Sequence, residues 1–184
     1  LAAYPDVFRG GALIAGIAYK CATTLTAGLL CMSQRQGRTP QQWGELVRGA
    51  HPGYAGPRPG VSIWYGGNDY TVATVNADQL RDQWTNVHGV GQTPTGTLAL
   101  PGNTVREDYG SAVQVYRVNG IGHGTPVDPG GEPDQCGTAA AYFLDSICSS
   151  FHIGRSWGLD GGTTPPTDPP VPADCVRASN WAHV

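Results

Sequence analysis

The sequence predicts an α/β fold built on a mostly parallel sheet. Three observations carry this: short apolar runs bounded by glycine, amphipathic stretches with helix caps between them, and a composition too rich in turn formers for a helical bundle. The chain has 184 residues with 27 glycines and 15 prolines, so a loop-rich architecture is expected. Apolar residues make up 40%, enough to build a core rather than a disordered chain. Charged residues are only 14%, against roughly 25% in an average soluble protein.

The elements follow in order. Residues 1–8 read as the last turn of a helix broken at Pro5. Residues 12–17 form a continuous apolar run between glycines, the signature of a buried parallel strand. Thr39, Pro40 and Gln42 form a helix start, with Thr as cap and Gln at the third helical position. Trp43, Leu46 and Val47 would be its apolar face and Gly49 its end. Residues 61–65 are a second strand, leading into the loop Gly66-Gly67-Asn68-Asp69. Asn76 then caps a helix with Gln79 at its third position. Leu80, Trp84 and Val87 repeat along one face of it, and Gly89 stops it. Residues 97–109 read as a hairpin or excursion, and residues 113–118 as a third strand ending in the loop 119–124. Two short helices are expected over 138–147 and 149–157.

Three parallel strands are few for such a domain. Residues 1–159 are therefore expected to be the C-terminal portion of a catalytic domain whose N-terminal portion is missing. Residues 160–174 ("DGGTTPPTDPPVPAD") form a Pro/Thr-rich linker, and 175–184 the stub of a further C-terminal module. Net charge is −3 with no basic run, which gives no reason to expect a nucleic-acid partner. No apolar run is long enough for a bilayer, so no membrane partner is expected either.

Cysteine usage points to secretion. Cys21 with Cys31, and Cys136 with Cys148, are spaced for two short-loop disulfides, each worth about 2–3 kcal/mol in the chain-entropy view. Free buried thiols are the alternative, the spacing does not fix connectivity, and Cys175 is left over. There is no CxxC and no histidine pair at ligand spacing, so neither metal nor cofactor is expected.

Two loop residues carry chemical interest. Asp69 and His123 each follow a strand, where functional groups of α/β sheets collect. An imidazole between two glycines can act as a general base, and a carboxylate behind it fixes its tautomer. Acid before histidine is the α/β-hydrolase order, with the nucleophile earlier. The ordinary alternatives are a turn-forming aspartate that bonds its own backbone and a lone loop histidine. Asp128 and Asp134 are other acids near His123, but neither follows a strand. No GxSxG elbow is present, so the nucleophile is expected outside the chain.

The string "YPDVFRGGALIAGIAYKCA" resembles the segment just downstream of the nucleophile in polyhydroxybutyrate depolymerase-like esterases, a family that includes feruloyl and acetylxylan esterases. "PRPGVSIWYGGNDYTVATVNADQLRDQW" resembles their acid-bearing strand, loop and helix. "VQVYRVNGIGHGTPV" resembles their histidine loop, and "CGTAAAYFLDSICSSFHIGRSWGL" their C-terminal helices. The resemblance implies an α/β-hydrolase-like fold, with Asp69 and His123 as the acid and base of a Ser-His-Asp triad. It places the serine upstream of Leu1. The expected activity is hydrolysis of a polyester or plant-wall ester, with Tyr65, Tyr70 and Thr125 as candidate substrate contacts. Tyr65 stands where many members carry His, and Ala73 where Pro is common, so substrate preference is open among polyester, feruloyl and acetylxylan esters. An inactive fragment or binding module is the alternative of another class.

Overall fold

A computed structural model of the chain describes residues 1–159. The expected linker, the C-terminal stub and Cys175 lie outside the described residues. The central sheet has five strands: β1 (Gly10–Ile14), β2 (Gly60–Gly66), β3 (Gly96–Leu100), β4 (Thr104–Tyr109) and β5 (Val113–Val118), in spatial order β1-β2-β5-β4-β3. β1 pairs with β2, and β2 with β5, in parallel register; Ile14 lies opposite Trp64 and Gly66 opposite Val118. β4 and β3 add antiparallel strands at the β5 edge. The expectation of a mostly parallel sheet is thereby corrected to a mixed one. The cause is the hairpin over 97–109, whose turn uses left-handed backbone at Gly102 and Asn103.

β2 is buried on both faces, as its near-continuous apolar run requires. Val61 and Ile63 face the larger core with Trp43 and Val47 of α2 (Pro40–Arg48) and Leu80 and Trp84 of α3 (Val75–His88). Trp64 faces the smaller core with Tyr116, Ile147 and Ile153 of α4 (Ser149–Ser156). Trp64 and Tyr116 are register partners on β2 and β5, and their rings stack 3.8 Å apart. The sheet thus has α2 and α3 on one face and α4 with Ile147 on the other, and its parallel core holds the ends of β2 and β5 in fixed register.

Several expected elements stand: the capping box of α2, with Thr39 Oγ1 accepting from the Gln42 amide and Gln42 returning the bond, and the strands β2 and β5. Others are corrected. Residues 1–8 hold a turn, not a helix end, and β1 stops at Ile14 where Ala15 takes positive φ. α1 (Leu25–Ser33) was not expected; its N-cap Thr24 accepts from the Ala27 amide. α3 begins at Val75, and Asn76 is not its cap. Asn76 is fully buried and donates to the carbonyls of Met32 and Ala73, while its oxygen accepts from Gln79. Residues 138–147 are not helical: β7 (Phe143–Asp145) pairs in parallel with β6 (Thr125–Val127). Disulfides join Cys21 to Cys31 and Cys136 to Cys148, the second closing the segment that contains β7. Among the described residues no helix is long and apolar enough to cross a membrane.

Candidate active site

The parallel ladder between β2 and β5 runs on into the loops beyond it. The Gly67 amide donates to the Val118 carbonyl at 2.8 Å, and the Asn68 amide to the Ile121 carbonyl at 2.9 Å. Gly66 permits this approach, because a Cβ there would sit on the carbonyl oxygens of Ile121 and Gly122. The histidine loop is also tied to the hairpin turn, since Asn119 donates from its backbone and its side chain to the Asn103 carbonyl. Two post-strand loops are therefore zipped together, and they carry Asp69 and His123.

The two residues meet. His123 Nδ1 lies 2.9 Å from Asp69 Oδ2. The carboxylate side chain is 1% exposed and the imidazole 29%. Asp69 Oδ1 accepts from the amides of Thr71 at 2.9 Å and Val72 at 2.8 Å. Asp69 is thus a turn former and a histidine partner at once, one oxygen for each task. Three donors surround the buried carboxylate, which is what burial of a charge demands. An ionised carboxylate only accepts, so the imidazole proton belongs on Nδ1. Nε2 then holds the lone pair, which is the arrangement of a general base.

Neither rival acid, Asp128 or Asp134, is hydrogen-bonded to His123 among the described residues. Asp128 bonds Gln135 and pairs through its backbone with Cys136. Two other histidines, His88 and His152, are held below the usual imidazole range by burial. His88 faces the Pro59 carbonyl at the end of α3, and His152 lies against Trp64. Neither is hydrogen-bonded to a carboxylate among the described residues.

The candidate substrate contacts fall apart into three environments. Tyr65 is half-buried against the larger core, and burial raises its phenol above the ordinary range. Tyr70, beside Asp69, is 95% exposed. Thr125 opens β6 and donates its amide to the Tyr142 carbonyl. None of the three is hydrogen-bonded to Asp69 or His123. Tyr142 itself was missed: its ring stands edge-on to His123, 6.4 Å between centroids at 81°. No sequence signal marked it, because its segment reads locally as helix. Ser149 donates its hydroxyl to the Pro126 carbonyl and Ser156 to the Ile153 carbonyl, and no serine is hydrogen-bonded to His123 among the described residues. No cluster of three or more His, Cys, Asp or Glu side chains suited to a metal occurs among the described residues.

Comparison with known proteins gives this geometry its context. The chain is 49% identical over 166 residues to poly(3-hydroxyalkanoate) depolymerase C of Paucimonas lemoignei, covering 87% of this chain and 40% of that protein. This chain is a homologue of the depolymerase-like esterases. The esterase homologue is also 41% identical over 131 residues to an acetylxylan esterase of Coprinopsis cinerea, covering 68% of the chain and 35% of that protein. It is 32% identical over 133 residues to feruloyl esterase B of Talaromyces stipitatus, covering 68% and 37%. Its fold matches the acetyl xylan esterase from Aspergillus awamori with a TM-score of 0.61 at 26% identity, over 66% of this chain and 47% of that one. No family model matches the chain. The homologue thus spans less than half the length of each of these relatives.

Proposed function

We propose that this chain supplies the acid and base of a Ser-His-Asp triad in a secreted carboxylic-ester hydrolase of the polyhydroxybutyrate depolymerase type. The observation that carries the reading is the 2.9 Å contact between His123 Nδ1 and the buried Asp69 carboxylate. The serine comes from a segment of the parent protein N-terminal to Leu1, together with the donors that stabilise the oxyanion. His123 Nε2 takes the serine proton as Oγ attacks the ester carbonyl carbon, forming a tetrahedral intermediate. It then gives that proton to the leaving alkoxide, and the acyl-enzyme remains. A water molecule loses its proton to Nε2 and attacks the acyl carbon; as that intermediate collapses, Nε2 returns the proton to the departing serine Oγ, releasing the acid and restoring the free serine. Asp69 holds the ring in the required tautomer and stabilises the imidazolium. No metal or organic cofactor enters these steps.

Tyr70 and Thr125 flank the pair in sequence and are proposed substrate contacts; Tyr65 contributes from the core side. The two disulfides suit an oxidising compartment and support secretion. A polyester substrate is favoured because the depolymerase relative matches more of the chain at higher identity than the acetylxylan and feruloyl esterases do. The test is side-by-side hydrolysis by the parent protein of 3-hydroxybutyrate oligomers, feruloylated sugars and acetylated xylan. The oligomers should give the highest kcat/KM. Faster turnover of either plant-wall ester would move the substrate assignment to that class, and no turnover of any would leave a binding module.

A further inference from the structure

His123 is flanked by Gly122 and Gly124, so its neighbours in sequence give the ring no lateral cover. Asp69 fixes one ring nitrogen, and a single hydrogen bond leaves the imidazole able to rock about that contact. The structure places a wall beside it. Tyr142 stands edge-on to the imidazole at 81°. Its backbone is registered to the histidine's own segment: its carbonyl accepts from the Thr125 amide at 2.8 Å, and Phe143 is the β-partner of Thr125. Gly124 makes room for this, since a Cβ there would lie 2.8 Å from the Tyr142 carbonyl oxygen. The Cys136–Cys148 disulfide closes the segment that delivers the ring. Although Tyr142 is 67% exposed, its hydroxyl makes no hydrogen bond among the described residues.

We propose that Tyr142 is a positioning residue: its ring holds the His123 imidazole in the plane that keeps Nδ1 on Asp69 and directs Nε2 toward the reacting serine. This rests on the reading of His123 as the general base. The ring, not the hydroxyl, does the positioning, so phenylalanine serves as well as tyrosine. An aromatic contact of this kind is worth a factor of about three to ten in rate.

Two measurements test it. In the parent enzyme, Tyr142→Ala should lower kcat by about three- to tenfold with KM changed less than about twofold, and Tyr142→Phe should restore kcat. In the parent protein, proton NMR should show the His123 Nδ1–H resonance sharp in the native protein and in Tyr142→Phe. Tyr142→Ala should broaden it by exchange with water. An unchanged kcat and resonance in Tyr142→Ala would overturn the proposal. So would a loss confined to KM, which would make Tyr142 a substrate wall, or a Tyr142→Phe variant as damaged as alanine. If His123→Ala itself leaves turnover intact, the underlying assignment of the base fails, which is a separate outcome from failure at Tyr142.

Discussion

His123→Ala in the parent protein is expected to lower kcat by roughly 10⁴- to 10⁶-fold, because the proposed general base is lost and the proposed triad acts as a unit. Residual turnover would come from substrate binding and oxyanion stabilisation alone. The imidazole is 29% exposed and its only hydrogen bond among the described residues is to Asp69, so the fold should survive its removal. Steady-state kinetics alongside thermal unfolding checks this. A loss under about tenfold in a folded variant would remove His123 from the chemistry.

Asp69→Asn is expected to cost about 10³- to 10⁴-fold in kcat while leaving stability close to native. An asparagine oxygen can still accept from the Thr71 and Val72 amides, so the turn persists. Its amide would then face Nδ1 as a donor, forcing the imidazole proton onto Nε2, where it blocks the base. Asp69→Ala should behave differently. It leaves both amides without their acceptor, and for the buried Val72 amide that costs about 1–3 kcal/mol in addition to the lost activity. Thermal unfolding and kinetics on the two variants separate tautomer control from turn formation. Equal kcat losses with equal melting points would show that the carboxylate's second oxygen is not structural.

Much of the architecture was legible in the chain because it is locally encoded. The apolar runs of β2 and β5 end at Gly66 and Val118, and the Thr39–Gln42 capping box sets the start of α2. The candidate pair was legible for the same reason: each residue follows a strand, and parallel pairing brings the ends of neighbouring strands together. The misses come from long-range contacts overriding local preference. Residues 138–147 contain alanine, leucine and tyrosine in a run that favours helix locally. Pairing with Thr125–Val127 and the Cys136–Cys148 disulfide hold part of that run extended instead. α1 escaped notice because it has no apolar stripe to read: Leu25, Leu29 and Leu30 are exposed and Cys31 alone is buried. Asn76 has the residue type of a cap, yet its amide is spent joining α3 to the Met32 carbonyl in α1. Tyr142 was invisible for a related reason, since only the β6–β7 pairing brings its ring to His123.

The central claim is that Asp69 and His123 activate a serine carried by another part of the parent protein. Covalent labelling with a fluorophosphonate, followed by peptide mapping, tests it most directly. The parent protein should label on one serine N-terminal to Leu1, with labelling abolished in His123→Ala, and the 184-residue chain should not label. Labelling of a serine within the chain, or of the parent at an undiminished rate without His123, would contradict the account.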